Sequence, residues 1–110
     1  MNTTLNLSIG DVLVRENAFG LVNHVGVVFA SNAVLQNTPE RGEHVSTLQE
    51  FAGRAAIKLQ RTGANPWHVT ERARRILANA RQYDPFSRNC EHTVSEAVHG
   101  DAKSPQLYFW

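Results

Sequence analysis

The chain carries one cysteine, Cys90, in the run Asn89-Cys90-Glu91-His92, and far upstream a histidine, His24, interrupts a strongly apolar stretch. A thiol, an imidazole and a third polar side chain are the parts of a nucleophilic site. The imidazole takes the thiol proton, and the third group orients the ring. Cys90, His24 and Gln36 are the candidates for those three roles. A lone thiol cannot form an internal disulfide. A free cysteine on an apolar helical face equally suits plain packing, so the elements that place these residues decide between the two readings.

Residues 89–99 put apolar side chains at Cys90, Val94, Ala97 and Val98, the spacing of one helical face. Cys90 is therefore expected in the first turn of a helix and facing inward. Ser87 or Asn89 can cap that helix, Glu91 suits the positive end of its dipole, and Gly100 closes it. Unpaired backbone N–H groups at such a start favour a thiolate and can hold an oxyanion.

Leu21 to Ala30 is the most strongly β-forming segment and, apart from Asn23 and His24, is apolar on both faces, as a central strand would be. Ala33-Val34-Leu35-Gln36 reads as its partner through Ser31-Asn32, and Thr38-Pro39-Glu40-Arg41-Gly42 ends the hairpin. Pairing Val28 with Asn32, or Val27 with Ala33, sets Gln36 directly across from His24. Opposed side chains of that kind have Cβ atoms roughly 4.5–5.5 Å apart. A slip of one residue would bring Asn37 to that place instead, because side chains alternate faces.

The other elements follow from local patterns. Val12-Leu13-Val14-Arg15 reads as a first strand after Gly10-Asp11, with Glu16 to Gly20 turn-like. Glu43-His44-Val45 extends briefly. Ser46 with Gln49 suggests a capping box for a short helix ending at Gly53, and Ala55 to Arg61 alternates as a strand with one solvated face. Pro66 opens a helix after Asn65, with Val69, Ala73, Ile76, Leu77 and Ala80 on its apolar stripe. Arg72, Arg74, Arg75 and Arg81 lie mainly off that stripe and read as a solvated face. Tyr83-Asp84-Pro85-Phe86 then breaks the chain towards Cys90.

The 110 residues suit a single domain, 1–110, with one core and one site. Hydrophobic residues at 42% and charged residues at 19% are ordinary globular composition, and a formal charge of +1 gives no field suited to nucleic acid. Met1 to Ile9 lacks the pattern of a signal peptide and no run approaches the roughly 18 apolar residues of a span, so the expected location is cytoplasmic, without an integral membrane segment. No cofactor motif is present. Zinc is disfavoured because Cys90 and His92 point apart at helical spacing and no paired ligand motif exists, so no metal site is assigned. His44, His68, His92 and His99 read as surface or packing residues.

Magnitudes give His24 the larger share of thiol activation. A helix terminus contributes about 0.3–1 kcal/mol, under one pKa unit at about 1.36 kcal/mol per unit. An imidazolium about 4 Å away contributes roughly 4 kcal/mol at an effective dielectric of about 20, or about three units. A neutral glutamine in the third place fixes the tautomer of the ring more than its charge.

These pieces together resemble the lecithin:retinol acyltransferase-like family, of the permuted papain-like (NlpC-type) superfamily. The resemblance rests on Gly10-Asp11-Val12-Leu13, on His24 in an apolar strand, on Val34-Leu35-Gln36 beyond it, and on Asn89-Cys90-Glu91-His92-Thr93-Val94. His99-Gly100 through Ser104-Pro105-Gln106 also looks like the family's ending. The resemblance implies an α+β, circularly permuted papain-like fold: a small antiparallel sheet with the nucleophile helix packed on it, the histidine strand preceding the cysteine helix. It implies catalysis through an acyl-thioester on Cys90. Where the family typically has a second histidine, this chain has Gln36, and the apolar C-terminal anchor of membrane-bound relatives is absent.

The expected function is a cysteine-dependent acyltransferase or acyl hydrolase acting on an acyl-bearing lipid or thioester. The alternatives are a peptidase or deamidase acting on a peptide amide with the same residues, and a non-catalytic interaction domain using Tyr108, Phe109 and Trp110 as an aromatic patch.

Overall fold

The structure is a computed structural model that describes residues 6–16 and 23–101. The stretch from Asn17 to Gly20, the head of the expected central strand at Leu21, the Ser104-Pro105-Gln106 run and the Tyr108-Phe109-Trp110 tail lie outside the described residues.

Five strands, β1 (Val12–Arg15), β2 (His24–Ala30), β3 (Ala33–Thr38), β4 (Gly42–Ser46) and β5 (Ile57–Gln60), form one antiparallel sheet in the order β4-β3-β2-β1-β5. Three helices accompany it: α1 (Leu48–Ala52), α2 (Pro66–Ala78) and α3 (Cys90–His99). The class is thus α+β. β2 is central and covered on both faces, which is why its apolar run does not alternate with polar residues.

The pleat divides the core in two. Val25, Val27 and Phe29 of β2 join Val12, Val14 and Leu35 beneath the helices, against Val69, Ala73 and Ile76 of α2 and Cys90, Val94, Ala97 and Val98 of α3. Leu13, Val28 and Val34 face the other way and pack with Phe51 of α1. His24 and Gly26 share that second face. A Cβ on Gly26 would come within 2.7 Å of both Phe51 Cε1 and Val34 Cγ1, so the glycine makes the room in which Phe51 seats.

The β2–β3 register departs from the expected one. Gly26, not His24, pairs with Gln36, followed by Val27 with Leu35 and Val28 with Val34. The hairpin turns on Ser31 and Asn32 alone, because Asn32 takes φ +47°, which asparagine tolerates better than most side chains. An irregularity between Val28 and Ala30 absorbs the remaining residue. The shift equals two residues, so His24 and Gln36 keep a common face and become diagonal neighbours.

Two further expectations are corrected. The cap of α1 is Thr47, whose side chain accepts from Glu50 N while Glu50 reaches back to Thr47 N; Ser46 instead ends β4 with its side chain buried. Arg72 is not part of a purely solvated face. Its Nη1 donates to the carbonyls of Ala97 and Val98, at 3.4 and 3.1 Å, and so ties α2 to the last turn of α3.

Candidate functional site

Helix α3 begins where its residues dictate. Asn89 adopts an extended backbone and its Oδ1 accepts from the N–H groups of Glu91 and His92 at 2.9 and 3.2 Å. His92 Nδ1 accepts in return from Asn89 N at 3.1 Å, completing a capping box in which histidine stands where glutamate or glutamine is usual. His92 is thus a buried cap, a role not assigned to it from sequence. Gly100 closes the helix in the left-handed region at φ +86°.

Cys90 occupies the first helical position, 8% exposed, at the margin of the core. Backbone N–H groups of Val25, Glu91 and Cys90 itself are within hydrogen-bonding reach of the sulfur. Burial is nevertheless the largest influence and pushes the thiol above its ordinary value of 9.0; those N–H groups pull the other way. Val25 is the residue after His24, so the thiol lies by the backbone at the end of β2 where the histidine stands, while the His24 ring sits on the Phe51 face of the sheet.

His24 is held on two sides. Its ring stacks on Phe51 with centroids 5.3 Å apart. Its Nε2 lies 2.8 Å from Gln36 Oε1, and Gln36 Nε2 donates onward to Ser46 Oγ at 2.6 Å. An amide oxygen only accepts, so with Gln36 Oε1 towards the ring it is the ring that donates. Nε2 therefore carries the hydrogen, and in the neutral ring Nδ1 keeps the basic lone pair. Burial holds the His24 pKa below its ordinary 6.5; the Gln36 bond raises it and the nearby Arg15 and His44 lower it.

The geometry thus joins His24 to Gln36 directly and brings Cys90 to the backbone beside His24. No hydrogen bond between the thiol and the imidazole is present among the described residues. With the cysteine shifted up and the histidine shifted down, the resting pair is a neutral thiol and a neutral imidazole, in place of the ion pair expected from charge arithmetic. Burial outweighs the attraction that arithmetic considered.

Asn37, the reserve candidate for the third role, faces away from His24 and lies under α3. Sequence reasoning also missed the support below the nucleophile helix. The Glu43 carboxylate is fully buried and accepts from Arg81 Nε at 3.0 Å, Arg88 Nε at 3.1 Å and Thr93 Oγ1 at 2.7 Å. Glu96 bridges the same two arginines, at 3.0 and 2.6 Å. Alternation in β4 sets Glu43 on the side of exposed Val45 and opposite His44 and Ser46, so the local pattern gave no sign of its burial.

Among the described residues no cluster of three or more histidine, cysteine, aspartate or glutamate side chains is placed to hold a metal ion. No described helix is long and apolar enough to cross a membrane. No family model matches this chain, and no curated protein matches it.

Proposed function

We propose that the protein is a cysteine-dependent acyltransferase or acyl hydrolase with Cys90 as nucleophile, His24 as general base and acid, and Gln36 as the residue that orients the ring. The observation that carries this reading is the relay from Ser46 through Gln36 to His24, which fixes the base nitrogen at Nδ1, together with Cys90 at a capped helix start beside Val25. The order of a histidine strand before a cysteine helix on an antiparallel sheet supports a permuted papain-like fold of the lecithin:retinol acyltransferase kind.

The chemistry follows from the resting state. As Cys90 Sγ attacks the carbonyl carbon of an ester or thioester, His24 Nδ1 takes the thiol proton and the C=O electrons move to oxygen. At the start of α3 the Glu91 and His92 N–H groups are taken by the Asn89 cap, so the Cys90 N–H is the one that suits that oxyanion. Collapse expels the alkoxide or thiolate, which receives the proton from His24 and leaves an acyl-thioester on Cys90. Water or an acceptor hydroxyl or amine then attacks, giving its proton to His24. Breakdown releases the acylated product and returns the proton to the Cys90 sulfur. Gln36 stabilises imidazolium only as a neutral acceptor, so the positive charge forms transiently during attack and is not stored at rest.

The test incubates wild type and Cys90→Ala with lipid esters, acyl thioesters and peptide amides, with intact-mass detection of a covalent adduct. Product and an acyl adduct in wild type only, from esters or thioesters, are expected. Turnover confined to amides would establish the peptidase or deamidase reading, and equal activity in Cys90→Ala would remove both.

A further inference from the structure

Asn37 follows Gln36 on β3, and the pleat sends it to the opposite face, beneath α3. Its side chain is fully buried. Its Nδ2 donates to the Arg88 carbonyl at 2.8 Å and to Thr93 Oγ1 at 3.1 Å, and reaches the Asn89 carbonyl at 3.4 Å. Those three residues bracket Cys90: two lead into the helix and the third stands one turn inside it.

Neither carbonyl needs this side chain. The Arg88 oxygen also accepts from Asp84 N at 3.0 Å, and the Asn89 oxygen from Thr93 N at 3.2 Å. Asn37 Oδ1 is itself buried with no hydrogen-bond partner. A buried orphan acceptor is costly where an apolar residue of similar size would fill the space without it. Asparagine here is therefore neither the most economical filling nor a required partner. What distinguishes it is that one rigid amide fixes three points of the helix start to β3.

We infer that Asn37 is a positioning residue, which seats the first turn of α3 on β3 and so sets where the Cys90 thiol lies relative to His24. Gln36 and Asn37, consecutive on one strand, then hold the two halves of the site from opposite faces of the sheet. The inference rests on the reading of Cys90 as nucleophile, but its test needs no turnover.

That test is the pH dependence of alkylation by iodoacetamide on the full chain, where Cys90 is the sole cysteine. Asn37→Leu keeps the branched skeleton in a somewhat larger side chain and removes the donor; Asn37→Ser keeps a polar group too short to reach and serves if the leucine variant does not fold. Val69→Ala, in α2, weakens the same core and removes none of the hydrogen bonds that Asn37 makes to the start of α3. Burial is the largest cause of the raised thiol, so an unseated helix start lets its apparent pKa fall towards the ordinary value. Both Asn37 variants are expected to react about threefold faster than wild type at about pH 8, as half a pKa unit would produce, with Val69→Ala on the wild-type profile. Superposition of a folded Asn37 variant on wild type, or an equal shift in Val69→Ala, overturns the inference. Absence of substrate turnover with the shift intact would overturn only the enzymatic reading.

Discussion

Replacing Gln36 by leucine removes the acceptor of the His24 Nε2–H bond while leaving a side chain of similar size beside Phe51 and Gly26. The lost bond is neutral and short, 2.8 Å, so its net worth to stability is about 1 kcal/mol. Its sign follows from the balance at the ring: burial lowers the His24 pKa and the Gln36 bond raises it. Leucine deletes the raising influence, so His24 titrates lower than in wild type, further below 6.5. Gln36→Glu, which places a carboxylate against Nε2, moves it upward. The assay is the NMR titration of the His24 ring Cε1–H, assigned through His24→Phe. The acid limb of any substrate turnover is expected to move with it, since the neutral ring is the base. Stability falls by about 1–3 kcal/mol, because the buried ring N–H and the Ser46 hydroxyl both lose a partner. A His24 titration that stays in place or rises in Gln36→Leu would refute the Nε2 assignment and with it the choice of Nδ1 as base.

The same two shifts give a pH window of stability. His24 has a lowered folded pKa, so as pH falls below 6.5 the unfolded chain takes the proton first and stability is lost until the folded ring titrates. Cys90 has a raised one, so stability is lost as pH rises above 9.0. Urea midpoints of wild type are expected to fall on both sides of that window, the acid-side loss shrinking in His24→Phe and the alkaline-side loss in Cys90→Ala. Glu43→Ala removes one of the two carboxylates on the buried Arg88 guanidinium, leaving it Glu96, and is expected to cost about 1–3 kcal/mol in urea unfolding. Asn89→Ala removes the cap of α3 and is expected to cost about 0.5–2 kcal/mol by the same measurement. Gly26→Ala drives a methyl into Phe51 and Val34; a loss of about 1–3 kcal/mol with a changed His24 ring shift is expected, and an unchanged His24 spectrum would show that Phe51 does not position the ring.

The parts of the site that are legible in the sequence are those set within a few residues. Asn89, the apolar period through Val98 and Gly100 define α3 locally, as Asn65-Pro66 defines the start of α2. The choice of Gln36 over Asn37 survives a wrong register because two residues of shift conserve the face. The register itself depends on Asn32 adopting a left-handed backbone and on the irregularity after Val28, neither of which hydrophobic alternation encodes. Ser46 resembles a helix cap as closely as Thr47 does; only its buried place beside Gln36 separates them. The Glu43 network was illegible for a different reason. Its partners lie 38 to 50 residues away, and a charged side chain is by default solvated.

The two halves of the site close loops of very different length. His24, Gln36 and Ser46 are joined across 12 and 10 residues, within consecutive strands. Asn37 reaches Arg88 across 51 residues and Glu43 reaches Thr93 across 50. Closing the longer loop costs more chain entropy, and during synthesis its second end is the later to emerge. The histidine half is therefore built on an early, local hairpin, while the cysteine half is completed only when the last helix docks. Until that docking the thiol lacks the burial that raises it, so the same event that completes the fold also subdues the free thiol and sets it in its place.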